Sequence, residues 1–211
     1  LEIVPEVGLF EEAEQLTTVL QELGVESEDM IAEFEYRIHL GLIRSRQGLL
    51  KEGIQLHESS LELAKSIQTK NCVPSAVAHL SGSLHSFART LEPDDPERAS
   101  TLLRAKELAR QLSETASPTS RWYPLAFLLL AVAEYYLSDF TPAQAHFRIA
   151  YESAVALRRR IIQAYCTFFL SQIASHEGEE GLAEDFWQEF ADLKLQTGLV
   201  RNESVWSRGS V

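Results

Sequence analysis

The feature that most constrains this chain is that it repeats itself. Four segments place a small turn residue five positions before a small residue that opens an apolar stripe: Gly8 and Ala13, Gly48 and Gly53, Ser138 and Ala143, Gly178 and Ala183. The starts are 40, 90 and 40 residues apart, and 90 is two steps of 45, so a further copy is expected near residue 93. The chain there reads Leu91-Glu92-Pro93-Asp94-Asp95-Pro96-Glu97, a longer turn in which Asp95 suits a helix N-cap and Pro96 the first helical turn. A fixed period of this size marks a stack of supersecondary units, each too small to bury its apolar face alone.

The flanks of the turns agree as well. Leu40-Gly41, Leu130-Ala131 and Leu170-Ser171 lie eight and seven residues before Gly48, Ser138 and Gly178. A small residue there lets the two helices of a unit approach closely, and the large one beside it fills the next layer. After the turns, Ala143, Phe147 and Ala150 share one helical face, as do Ala183, Trp187 and Phe190, and more weakly Gly53, His57 and Ser60.

This pattern of small residue, turn, small residue, aromatic and small residue resembles the tetratricopeptide repeat over nearly the whole chain. It departs from that family in its period of 40–45 rather than 34 residues, in Arg37 where an aromatic precedes Leu40-Gly41, and in lacking the proline that closes a unit. The resemblance implies an all-α fold, a right-handed α-solenoid of antiparallel helix hairpins. In period and in texture, as at Leu61-Glu62-Leu63-Ala64 and Glu107-Leu108-Ala109, the units also look like the helical sensor domains of large bacterial ATP-dependent transcription activators of the maltose-regulon type.

Nine helices are expected, over about 9–23, 28–47, 50–69, 74–91, 96–116, 119–137, 142–158, 160–177 and 180–197. They form one repeat domain over 1–197, with a half repeat at 8–24 and units at 28–69, 74–116, 119–158 and 160–197; residues 198–211 are a loose tail or the start of a further helix. No Gly/Ser linker divides the chain. The first helix lacks a partner within the sequence and residue 1 is Leu rather than Met, so a piece of a longer protein or a processed chain is expected. The unpartnered repeat end would offer a face for homodimerisation.

Charge excludes several classes. Nineteen Lys and Arg against 31 Asp and Glu leave −12, which argues against a nucleic-acid surface or an anionic membrane as partner. The longest apolar run, Leu125 to Ala133, is nine residues against the ~20 needed to span a bilayer, and no secretory pattern opens the chain, so a cytoplasmic location is expected. Asn202-Glu203-Ser204 matches a glycosylation sequon by chance in that context.

Catalytic motifs are missing. There is no phosphate loop, nucleophile elbow or His-Glu-x-x-His helix. His79 and His85 are six apart and point to different faces, so no helical metal pair forms. Ser81-Gly82-Ser83 near His85 has no acid partner and reads as close helix packing; Cys166 reads as packing and Cys72 as a loop thiol. No enzyme activity, metal or cofactor is expected. Arg158-Arg159-Arg160 reads as a solvated cap between two helices, and Glu177, Glu179, Glu180, Glu184 and Asp185 as a surface face.

The resemblance places a concave groove on the first helix of each unit. Carried over residue by residue, it implies Glu35, Ile38, Leu42, Ser45 and Arg46 in one unit and Ser75, Ala78, Gly82, His85 and Ser86 in the next. The third unit supplies Leu125, Leu128, Val132, Tyr135 and Tyr136, and the last Tyr165, Phe168, Gln172, Ser175 and His176. Leu125, Leu128 and Val132, with Phe168, read as core before groove, whereas Tyr135, Tyr136 and Gln172 read equally as either. Arg46, His85, Tyr135, Tyr136, Tyr165, Gln172 and His176 are the binding candidates, an apolar surface with a few polar groups. The expected partner is a protein, a peptide or a small-molecule effector, either for a sensor domain in a larger transcription regulator or for a stand-alone scaffold.

Overall fold

The computed structural model describes residues 15, 17–19, 21, 22, 29–67 and 69–197. All regular structure among them is helical. The helices with defined bounds are α1 (Met30–Arg46), α2 (Leu50–Ser66), α3 (Cys72–Ala88), α4 (Pro96–Thr115), α5 (Trp122–Tyr136), α6 (Phe140–Ala156), α7 (Arg160–His176) and α8 (Glu180–Thr197). The described residues between 15 and 22 are helical too, inside the expected first helix; the rest of that helix and the 198–211 tail lie outside the described residues. The chain divides into two compact units, one up to Arg104 and one from Ala105, with the division inside α4.

Two helix starts follow from capping chemistry. The Asp29 carboxylate accepts from the backbone N–H of Ile31 at 2.9 Å and caps α1. Asp95 accepts from the N–H of Glu97 at 2.7 Å, and Pro96 opens α4, as expected of the proline-marked turn. Cys72 differs from expectation. It is the first residue of α3 and buried, not a loop thiol, because the helix begins two residues earlier than read and turns it onto the core.

Three of the repeated turns share one geometry. Gly48, Ser138 and Gly178 have φ of 84°, 62° and 78°, the left-handed region that ends a helix. In each, the turn residue's N–H bonds to the carbonyl three residues back, and the next residue's N–H to the carbonyl five back: Leu49 to Arg44, Asp139 to Glu134, Glu179 to Ala174. A fourth such turn, unmarked by any small residue, sits at Arg158 with φ 54°.

In the first unit α1 packs on α2, α2 on α3, and α1 also touches α3. Its core gathers Phe34, Ile38, Ala64, Ile67, Cys72 and Ala76. Along α1 the partners on α2 descend in number: Arg37 donates to the Ser59 carbonyl, Gly41 faces His57, and Gly53 faces Ser45. Gly41 is required by close approach. A Cβ there would stand 2.5 Å from His57 Nε2. That ring cannot retreat, because both its nitrogens are hydrogen-bonded. Gly41→Ala is therefore expected to lower stability by about 2 kcal/mol, the crowding exceeding alanine's helical advantage, and to lower Tm by roughly 5 °C in a thermal melt. An unchanged Tm would show that the helices can separate freely.

In the second unit α5 packs on α6, α6 on α7, α7 on α8, and α5 also touches α7. Ala143, Phe147 and Ala150 are fully buried and Ala183 and Phe190 nearly so, the stripes expected from the repeat, with Trp187 partly buried against them. Phe147 stacks on Phe169 at 5.1 Å between ring centres, 8° from parallel. The small residues seven before the turns, Ala131 and Ser171, are buried as Gly41 is, which is what allows the helices to meet.

Candidate functional site

The sequence candidates fall in both units: Arg46 and His85 in the first, Tyr135, Tyr136, Tyr165, Gln172 and His176 in the second.

In the second unit, α5 and α7 bring most of the candidates into one aromatic group. Tyr135 is 6 % exposed, with its ring 5.0 Å from Phe169 and 5.6 Å from Phe140. Tyr136, half-buried, packs edge-on to Tyr135 at 5.3 Å. His176 is exposed, with its ring tilted against Phe140 at 4.6 Å between ring centres. Tyr165 is half-buried, Gln172 is buried, and Phe168 and Leu128 belong to the core. Adjacent residues such as Tyr135 and Tyr136 point ~100° apart around a helix, so one anchors the core while its neighbour faces outward. Burial, and next the neighbouring Tyr136, push the Tyr135 hydroxyl up to about 12, so this tyrosine stays neutral. The surface left by α5 and α7 thus comprises half-buried Leu125, Val132, Tyr136 and Tyr165 with exposed Ser175 and His176. It offers aromatic faces and a few polar groups and no nucleophile with a base.

Behind it lies a polar anchor that sequence reasoning missed. Glu134 is 3 % exposed and is held by Lys106 at 3.2 Å and His146 at 2.7 Å. Its signal in the sequence is a lone acid directly after the apolar run, the one charged residue of α5. Tyr151 donates to the Glu189 carboxylate and ties α6 to α8; burial, and then that carboxylate, push its hydroxyl up to about 12.

In the first unit, Arg46 is exposed at the end of α1, while His85 is 6 % exposed. The His85 Nε2 is buried with no hydrogen-bond partner, and burial pulls its pKa down to about 4. His57 is fully buried. Its Nε2–H donates to the Ile38 carbonyl at 3.2 Å, which leaves Nδ1 to accept from the Ser83 hydroxyl at 2.9 Å. Ser45 Oγ lies 3.4 Å from Ser83 Oγ and completes the chain as donor. Ser83 is therefore paired with His57 rather than with His85. No carboxylate backs that histidine, and burial lowers its pKa, with the Ile38 carbonyl acting the other way. A serine 5 % exposed against a fully buried imidazole cannot meet a substrate, so this network locks α1, α2 and α3 together.

His79, half-buried, has its ring 5.7 Å from that of His57. Burial first, then the charges of His57 and His39, lower its pKa to about 4, with Glu35 opposing. An open hollow of about 430 Å³ lies over Gln55, Glu58, Ser59, Glu62, Leu80 and Arg104. Glu58 and Arg104 already pair across it at 2.6 Å. The thiols of Cys72 and Cys166 are both buried and both raised above the usual range by desolvation, so neither is a nucleophile at neutral pH. Among the described residues no group of three or more His, Cys, Asp and Glu could hold a metal ion, and no helix is long and apolar enough to cross a membrane.

No protein-family model matches this chain, and no curated protein is detectably similar to it in sequence.

Proposed function

We propose that this chain is a tetratricopeptide-like module that binds a partner protein or a small effector, working as the sensor or interaction domain of a larger cytoplasmic transcription regulator. The architecture that goes with this reading is a right-handed solenoid of antiparallel hairpins. Two observations favour hairpins. Three-residue connections such as Leu137–Asp139 and Glu177–Glu179 leave consecutive packed helices no room to run in the same direction. The descending partners along α1 and α2 run in opposite senses as well.

The observation that carries the binding reading is the α5–α7 surface. Aromatic rings at Tyr136 and Tyr165 are left half-exposed over a fully packed core, beside Gln172 and His176. Both rings pack against the core on one side and keep part of their surface in solvent, area that a partner could cover; aromatic side chains dominate binding energy at such surfaces. In a regulator, a ligand held there would act only through a difference in affinity between two states of the whole protein. The second reading, a stand-alone scaffold for a peptide segment, uses the same surface and differs only in its ligand.

The test begins with a thermal-shift screen of small molecules and a pulldown of protein partners. Whatever binds is then measured on Tyr136→Ala, Tyr165→Ala and Gln172→Ala. At least one tyrosine variant is expected to weaken binding about tenfold or more, while each stays within about 1.5 kcal/mol of the parent in stability. Full affinity in all three folded variants would place the site elsewhere. A peptide partner with no small molecule raising Tm would select the scaffold.

A further inference from the structure

The turn that joins α6 to α7 carries arginine where the other left-handed turns carry a small residue. It consists of Leu157, Arg158 and Arg159; the two arginines and Arg160, the first residue of α7, are all exposed. Arg158 takes φ 54°, in the left-handed region where equivalent turns use Gly48, Ser138 and Gly178. Arg159 is the N-cap of α7 and, like the N-cap residues of α2, α3, α5 and α6, makes no side-chain cap bond. Cations at the start of α7 also oppose its dipole.

Two ordinary explanations for such a cluster fail. Capping the end of α6 is one, but three of its last four carbonyls are already taken: Ser153 by the Leu157 N–H, Val155 by Arg158, and Ala154 by both Arg159 and the Gln163 side chain. Pairing within the chain is the other. Of 31 acidic residues, none among those described pairs with any of these three guanidinium groups, whereas Arg37, Arg104 and Arg110 all hold carboxylates. Exposed Val155 and Ile161, 48 % and 40 % exposed, flank the turn.

We infer that this turn is a docking point for a short acidic peptide segment of a partner, with aliphatic side chains between its carboxylates. Charge complementarity selects that occupant. Three guanidinium forks match a few carboxylates in bidentate geometry, and Val155 and Ile161 offer apolar contact beside them. A nucleic acid or an anionic membrane presents negative charge far beyond the turn, where a chain of net charge −12 repels it. A short segment stays within the screening length of about 8 Å that confines the arginines' own attraction. This site is separate from the α5–α7 aromatic surface, and each stands without the other.

The experiment is a fluorescence-anisotropy titration of the full chain with a short labelled peptide rich in glutamate with interspersed leucines, at about 0.15 M salt. Saturable binding is expected, weakened at least ~10-fold in the triple variant Arg158→Gly, Arg159→Gln, Arg160→Gln, and sharply reduced by added salt. Arg148→Gln is the control. Arg148 is exposed on α6, roughly 15 Å along the helix from the turn, and its loss should change affinity less than about twofold. Glycine suits the left-handed position, so the triple variant should keep the parent's melting temperature or exceed it. The proposal is overturned if the parent shows no saturable binding, if Arg148→Gln weakens binding as much as the triple change, or if a single-stranded oligonucleotide of equal length binds as tightly as the peptide.

Discussion

Replacing Phe147 by alanine is expected to cost about 4 kcal/mol and to lower Tm by roughly 10 °C. The residue sits where the second unit is most completely closed. It is fully buried, lies between Ala143 and Ala150 on α6, and stacks on Phe169 of α7. Those alanines cannot move in to fill the space, and Phe169 is held in turn by Tyr135 and Phe168. The cavity would therefore persist, which keeps the cost within the range of about 3–5 kcal/mol for buried aromatics. Leu195→Ala is the comparison. Leu195 is 75 % exposed on α8 and should change stability by less than about 0.5 kcal/mol. Denaturant titrations of both variants decide the matter, and a cost below about 1 kcal/mol for Phe147→Ala would mean that the aromatic stripe is not the core.

The second large effect is a loss of stability in mild acid. His85 and His79 both have folded-state pKa values of about 4, below the ordinary 6.5, chiefly because burial disfavours the imidazolium. Near His79 stand His57 from α2, and His39 and Glu35 from α1; only Glu35 favours its charged form. The sign follows from proton binding. Between pH 6.5 and 4 the unfolded chain takes up protons that the folded chain refuses, so stability falls as pH drops through this window and levels off below it. His85 accounts for about 3 kcal/mol of that loss, and half-buried His79 for less. His57, also lowered, adds to the same trend. Urea titrations from pH 7.5 to 4 should show a steep decline in the parent, and amide-exchange protection of α3 should fall with it. A variant carrying His79→Gln and His85→Gln should decline much less steeply over that range. Parallel decline in parent and variant would remove the histidines as the cause.

How legible the site was depends on the side chain. Arg46 and His176 are groove candidates by register, and both are exposed at helix ends. Gln172 shares the α5–α7 surface region by register, yet it is itself buried. Tyr135 and Tyr136 were read alike, and the fold separates them into a core ring and an outward one. His85 was read as a groove residue; no feature of Ser81 to Ser86 reveals that its Nε2 is enclosed without a partner, because enclosure is contributed by other helices. The Ser83–His57 bond joins residues 26 apart, and nothing local to either announces it.

What the amino-acid order settles alone lies within contacts of about one helical turn. The caps at Asp29 and Asp95, the left-handed turns at Gly48, Ser138 and Gly178, and the spacing of Ala143, Phe147 and Ala150 are all of this kind, since capping, backbone sterics and helical periodicity need no distant neighbour. Tertiary packing alone decided which polar groups lost their water. Glu134, His57 and His85 are charged or polar residues in helices that equally permit exposure, and their burial was imposed by the helices that closed over them. Desolvation is a property of the surroundings in three dimensions, so no reading along one dimension could assign it.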